Sequence, residues 1–385
     1  MAAKQEHALA QYSLGLCYEN GAGVKADTKE AVRYYELSAK QGIPDAEYSL
    51  GLCYENGVGV EKDLSRAIQC FKNAANQGHL YAQYSMGVYM INSDMSAGKF
   101  MKNETAAVDY FRASADQGFS AAQYNLAVCY AQGTGISKDL KKAFHYNMLA
   151  GEQGHPKALF NIAAFYHGGF GIARDDILAM KYYILSAEAG SVEGHMILAH
   201  IYEQVGGVYI SGVEKDLELA ANYYSYAAEM GNVEAQVVMG VYCTEGIGNT
   251  PVNHELAARW YMAAADAGSM VAQFNLGLAY VYGKGVEKDA TMAGKYYKLA
   301  ADQGNADAQL NLGTLYEFGT GVRHDEREAF RYYKLASEAH YGGAYYNLGR
   351  CYDLGIGVEV DSSESERYYQ LAAELGYVGL GESND

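Results

Sequence analysis

The chain has 385 residues, 50% of them hydrophobic, with only three prolines and a formal charge of −17. That acidic balance tells against a nucleic-acid backbone or an anionic membrane as partner, since both need clustered Lys and Arg. No apolar run reaches membrane-spanning length, and the opening M-A-A-K-Q-E-H-A-L-A has no signal-peptide core, so neither membrane insertion nor secretion is expected. The acidic excess is read as serving solubility, with attraction of a basic or extended peptide as the alternative.

One pattern of helix, glycine loop and helix recurs ten times. Its first helix carries a small residue within L-G-x-x-Y, at Gly15, Gly51, Gly87, Ala127, Ala163, Ala199, Gly240, Gly277, Gly313 and Gly349. Successive spacings are 36, 36, 40, 36, 36, 41, 37, 36 and 36. The copies run approximately 8–42, 43–78, 79–118, 119–154, 155–190, 191–231, 232–268, 269–304, 305–340 and 341–376, with a polar tail at 377–385. A single continuous array over residues 1–376 is expected.

Copies one and two are regular. In copy two, Ala46, Leu50 and Tyr54 stand four apart and share one helix face, and Gly51 leaves room for a neighbouring helix to approach. Gly57 and Gly59 end that helix through positive φ. Asp63 then starts the second helix as its N-cap, a contribution of ~1 kcal/mol. The cap recurs at Asp27, Asn103, Asp139, Asp175, Asp216, Asn253, Asp289, Asp325 and Asp361. Glu30, Glu328 and Glu364 add a capping-box-like acid. Each second helix ends at glycine, except in copy nine, which has His340. Its adjacent aromatics, such as Tyr34–Tyr35 and Tyr332–Tyr333, lie about 100° apart, so one is expected to face its own unit and the other the next.

Copy three lengthens its inter-helix loop from Met90 to Lys102 and places Met90, Ile91, Phe100 and Met101 in or beside it. Copy six inserts residues that bring Val208, Tyr209 and Ile210 into the same kind of loop, and copy seven adds Pro251 before its cap. The insertions decorate one edge. Their apolar residues either dock a partner or fold back on neighbouring helices.

The pattern L-G-x-x-Y-x-x-G-x-G-V-x-x-D-x-x-x-A-x-x-Y-Y-x-x-A-A-x-x-G resembles the Sel-one-like repeat, a relative of the tetratricopeptide repeat, over roughly residues 8–376. The resemblance implies an all-α fold: a right-handed α-solenoid of about ten helix-loop-helix repeats, used as a protein–protein adaptor. In such solenoids the position two before the small residue tends to face the concave groove. Here it reads Ser13, Ser49, Ser85, Asn125, Asn161, Ile197, Val238, Asn275, Asn311 and Asn347. Asparagines in a row can pair with an extended peptide backbone, or simply bond locally. Ile197 and Val238 interrupt the polar row, near His195 and His200.

Nothing in the sequence points to catalysis, a cofactor or a metal. The loops G-T-G-V at Gly133 and G-K-G-V at Gly283 lack the strand and the Lys-Ser/Thr of a phosphate loop and read as helix terminators. His195 and His200 are five apart, about 140° round a helix, unlike a zinc pair. C-x-x-C, G-x-S-x-G and H-E-x-x-H do not occur. Cys70 and Cys243 read as small core residues. Cys17, Cys53, Cys129 and Cys351 share one repeat position, which puts them ~9 Å apart on stacked helices, too far for disulfides. The cysteine pair that staples each repeat in secreted bacterial relatives is missing. Free thiols and a reducing, cytosol-like compartment are therefore expected. The leading functional expectation is a non-enzymatic scaffold that holds a partner segment in its groove. The alternative is a structural subunit, or homo-oligomer, docking through loops and terminal repeats. Hydrolysis of β-lactams, proposed for cysteine-rich relatives, ranks behind both.

Overall fold

The computed structural model describes residues 7–92 and 102–377, which form twenty α-helices and no strand. The chain divides into two compact units, residues 1–194 and 195–385. The first contains α1 (Ala8–Asn20), α2 (Thr28–Ala39), α3 (Pro44–Asn56), α4 (Leu64–Asn76), α5 (Leu80–Asn92), α6 (Glu104–Ala115), α7 (Ser120–Gln132), α8 (Leu140–Glu152), α9 (Pro156–Gly168) and α10 (Asp176–Glu188). The second contains α11 (Val192–Glu203), which starts at the boundary, then α12 (Leu217–Glu229), α13 (Val233–Glu245), α14 (His254–Asp266), α15 (Met270–Tyr282), α16 (Ala290–Asp302), α17 (Ala306–Phe318), α18 (Glu326–Ser337), α19 (Gly342–Leu354) and α20 (Ser362–Glu374). The fold is an α-solenoid. Within each unit the helices pack in pairs, and the second helix of one pair packs on the first of the next.

All ten second helices begin at the Asp or Asn expected from the sequence, whose side chain accepts from backbone N–H groups of the first turn. The reciprocal half of a capping box is replaced by something else. Glu30, Glu328 and Glu364 turn their carboxylates forward to Arg33, Arg331 and Arg367 one turn on, at 2.8–2.9 Å. The backbone N–H of each cap donates back to a carbonyl three residues past the small residue of the first helix. Regular copies do this as Asp63 to Tyr54 (2.9 Å). The lengthened copies do it as Asn103 to Met90 (3.1 Å), Asp216 to Tyr202 (2.8 Å) and Asn253 to Cys243 (2.8 Å). The lengthened copies therefore keep their helix pairs in register.

The two loop glycines have different tasks. Gly283 (φ +66°) is the left-handed C-cap of α15. Gly285 (φ +75°) lies against the first turn of the preceding pair's second helix, where a Cβ would fall 1.8 Å from the His254 carbonyl oxygen. The same contact recurs between Gly357 and Glu326 and between Gly59 and Thr28. In copy nine His340 takes φ +54° in place of glycine, and its ring nitrogen Nδ1 bonds the Tyr345 hydroxyl at 2.8 Å.

The small residue of the first helix lets the neighbouring helix of its own pair approach, chiefly through a ring. A Cβ on Gly51 would sit 2.6 Å from the Phe71 ring, and Gly15, Gly87, Gly240, Gly277 and Gly349 relate in the same way to Tyr35, Phe111, Tyr261, Tyr297 and Tyr369. Both paired aromatics pack on the first helix of their own repeat, and the second also reaches the next repeat, as Phe71 on Tyr89 (6.0 Å) and Tyr224 on Tyr242 (5.9 Å). The second ring slots under the small residue. The first stacks on the tyrosine three residues beyond it, as Tyr18–Tyr34, Tyr280–Tyr296 and Tyr316–Tyr332 at 5.6–5.8 Å and 6–7°.

Buried glutamines tie one pair to the next. Gln83 of α5 donates to the Ala75 carbonyl at the end of α4 (3.4 Å) and accepts from Gln117 beyond α6 (2.8 Å). Gln123 and Gln273 do the same, with Gln153 and Gln303 as donors. A buried amide costs stability unless its bonds are made, so this ladder fixes the register of the stack.

Candidate functional site

The residues two before and one and five after the small residue share one stripe of the first helix, at the i, i+3, i+7 spacing of a single face. On α15 these are Asn275, Leu278 and Tyr282; on α17, Asn311, Thr314 and Phe318; on α19, Asn347, Arg350 and Leu354. The asparagines and the middle residues are half-buried. Tyr282, Phe318 and Leu354 are 67%, 64% and 63% exposed. Three successive repeats thus present a large apolar side chain at one phase, in the last turn of the first helix. In the first unit that phase holds Asn20, Asn56, Asn92, Gln132 and Gly168, all exposed.

Cavities open on this face between successive repeats. One of about 180 Å³ is lined by Thr244, Tyr261, Asn275, Leu278 and Tyr282. Its counterpart in the first unit, about 160 Å³, is lined by Ile91, Phe111, Asn125, Val128 and Gln132, at matching repeat positions. Either holds a side chain or two, well below the several hundred Å³ of a typical metabolite cleft.

The asparagine row divides between the two behaviours open to it. Asn125 and Asn275 line the cavities. Asn161 donates to Asn147 at 3.3 Å, Asn311 bonds the Tyr297 hydroxyl, and Asn347 accepts from Arg350 at 3.2 Å. Ile197 and Val238 are half-buried at the same phase. His200 lies 3.5 Å from Glu234 with its ring against Tyr224. His195 stands at the phase of the buried glutamines and packs on Tyr223 and Tyr226 of α12.

Of the loop residues, Met90 and Ile91 belong to α5 and pack on the core, because that helix continues to Asn92, three residues into the expected loop. Phe100 and Met101 lie outside the described residues. Ile210 is 2% exposed, since the copy-six insertion folds inward at this point, whereas Val208 is half-buried and Tyr209 is 62% exposed. Among the described loop residues of that reading, Tyr209 is the exposed one.

A buried carboxylate, Glu317, lies beside the first-helix stripe. It accepts from the Tyr333 hydroxyl (2.7 Å) and pairs with Arg350 (2.8 Å), which is only about a quarter exposed. Glu19 holds Tyr35 and Glu203 holds Tyr224 in the same way, both at 2.6 Å. All six cysteines are unpaired. Burial pushes the Cys53 and Cys129 thiols up to about 11 and Cys70 and Cys351 up to about 12, far from the thiolate a nucleophile needs. Among the described residues no group of three His, Cys, Asp or Glu side chains is placed to hold a metal ion, and no helix is long and apolar enough to cross a membrane.

The apolar row escaped the sequence reading. Its signal was an aromatic or leucine seven residues after Asn275, Asn311 and Asn347, where the early copies have asparagine.

Paired helices, glycine loops and a row of side chains repeated on successive first helices define a repeat scaffold of the kind that presents surfaces to other proteins. The family model for the Sel1 repeat matches ten segments, residues 8–43, 44–79, 80–119, 120–155, 156–191, 194–232, 233–269, 271–305, 306–341 and 343–377, and the chain belongs to this family. Among solved structures it resembles c5321, a protective antigen present in uropathogenic Escherichia coli strains displaying an SLR fold. Identity is 30%, over 97% of this chain and 78% of that one, with a TM-score of 0.63. It also resembles a Sel1 repeat protein from Oxalobacter formigenes, at 34% identity over 70% of this chain and 75% of that one, with a TM-score of 0.59. No curated protein matches the chain.

Proposed function

We propose that this protein is a non-enzymatic scaffold that binds a segment of a partner protein along the first-helix face of α15, α17 and α19. The observation that carries the reading is the row Tyr282, Phe318 and Leu354, exposed at one phase of three successive repeats and adjoining the cavity at Asn275. Soluble chains rarely leave large apolar side chains aligned in this way without a partner to cover them. The cavity is sized for side chains, and Asn275 beside it has both a donor and an acceptor for peptide backbone. The protonated, buried thiols support a binding role over a catalytic one. They also support a reducing compartment.

A photo-crosslinking phenylalanine analogue placed at position 318, at position 209 and at exposed position 56 tests the reading in the native organism. A partner crosslinked from 318 and not from 56 is the expected result. Crosslinks from 209 alone would move docking to the loop edge. Crosslinks from 56 alone would end the proposal.

A further inference from the structure

We infer that the face of α15, α17 and α19 selects a basic peptide that carries large apolar side chains. The inference rests on the binding role proposed above and adds the chemistry of the occupant. Residues 195–385 contain 26 Asp and Glu against 12 Lys and Arg, whereas residues 1–194 contain 20 against 17. The unit that exposes the apolar row therefore holds most of the chain's excess negative charge. The unit whose equivalent row is Asn20, Asn56, Asn92, Gln132 and Gly168 is nearly balanced.

The acids lie where a bound segment would pass. Glu245 occupies the row's own phase on α13, Asp307 begins the same stripe on α17, and Asp353 adjoins Leu354; all three are exposed. Of the cations, Arg350 is engaged by Glu317 and Asn347, while Lys284 lines the cavity beside Asn275 and Tyr282. Tyr282, Phe318 and Leu354 all sit in the last turn of their helices, at the negative end of each helix dipole. An apolar strip bordered by carboxylates and the negative ends of helix dipoles complements a segment in which large apolar residues alternate with Lys or Arg. An acidic segment would meet repulsion, and a basic segment without apolar residues would leave the strip uncovered.

The test is fluorescence anisotropy with the full chain and three labelled synthetic peptides. One is composed of Lys, Leu and Ser, the second has every Lys changed to Glu, and the third every Leu changed to Ser. The Lys-Leu-Ser peptide is expected to bind saturably and to weaken as salt is raised, while each of the other two binds at least about tenfold more weakly. Tyr282→Ser/Phe318→Ser should reduce its affinity at least about tenfold, as should Glu245→Lys/Asp353→Lys, while Asn20→Ser/Asn56→Ser leaves it unchanged. All these positions are exposed, and an unchanged melting curve confirms each fold. Equal binding of the Glu peptide, or indifference to both variant pairs, would overturn the inference. So would self-association of the protein that depends on Phe318, because a second copy would then cover the row. An acidic segment crosslinked at position 318 would overturn it while leaving the binding role intact; absence of any crosslink there would remove the binding role itself.

Discussion

Gly313 and Tyr333 occupy each other's space: a β-carbon on the glycine would fall 2.7 Å from Cε1 of the tyrosine ring, whose hydroxyl then reaches Glu317 at 2.7 Å. One missing methyl group thus positions a ring, and the ring positions a buried carboxylate beside the stripe of Asn311, Thr314 and Phe318. Gly313→Ala should destabilise the chain by about 1–2 kcal/mol, toward the lower end for overpacking, because Ala163 shows that the fold can place alanine at this phase. Ala127→Gly, in the repeat where Asn147 stands at the ring position, should cost about 1–2 kcal/mol, from the helix propensity of glycine and the loss of a buried methyl. Urea unfolding of the two variants checks both values.

The second loop glycine separates conformation from contact. Gly23 and Gly285 share a positive φ, but a Cβ at Gly23 meets nothing within 4 Å while one at Gly285 strikes the His254 carbonyl. Gly23→Ala should cost about 1 kcal/mol for the left-handed backbone alone. Gly285→Ala should exceed that by about 2 kcal/mol as the inter-repeat contact is forced open. Equal losses by urea titration would show that the loop does not brace the preceding pair.

Glu317 should be costly to replace. Glu317→Leu leaves the Tyr333 hydroxyl and the Arg350 guanidinium without their shared acceptor. A loss of about 1–3 kcal/mol is expected, below the figure for a fully buried pair because Arg350 keeps some contact with water. Adding Arg350→Leu should return part of it, and a double-mutant cycle measures how much.

Two histidines make stability depend on mild acid. Nδ1 of His79 and of His155 accepts the N–H of Ala82 and Ala158, so each caps its helix only while that nitrogen is unprotonated. Burial holds both rings below the ordinary histidine value, with Asp45 opposing the effect at His79 and Lys157 adding to it at His155. The unfolded chain therefore binds protons first. Stability is full above the unfolded value of about 6.5 and falls as pH drops through the folded values, by about 1 kcal/mol for each lost cap. His79→Asn/His155→Asn, with the cap that Asn232 and Asn305 already provide, should flatten the urea midpoint between pH 7 and pH 5.

Thiol accessibility should split the cysteines. Cys17 is half-buried and the other five are buried. Ellman's reagent should modify one thiol quickly in the native protein at neutral pH and all six in denaturant. Fewer than six in denaturant would reveal a disulfide.

Helix, loop and cap positions were legible in the sequence because they depend on local chemistry. An Asp or Asn ahead of a helix, a glycine after one and apolar residues at helical spacing act on the backbone beside them, and all ten caps formed where expected. Met90 and Ile91 were misplaced because a helix end without glycine has no such signal.

What only the tertiary structure decided is which partner each side chain meets. Periodicity marks the residues that share a stripe but not which stripe the next helix covers. Hence Gly51 proved to receive Phe71, Ile210 turned inward, and His195 joined the glutamine phase. The row of Tyr282, Phe318 and Leu354 emerged for the same reason. Burial belongs to the packed stack, and a large apolar residue reads alike in sequence whether a neighbouring repeat covers it or leaves it to a partner.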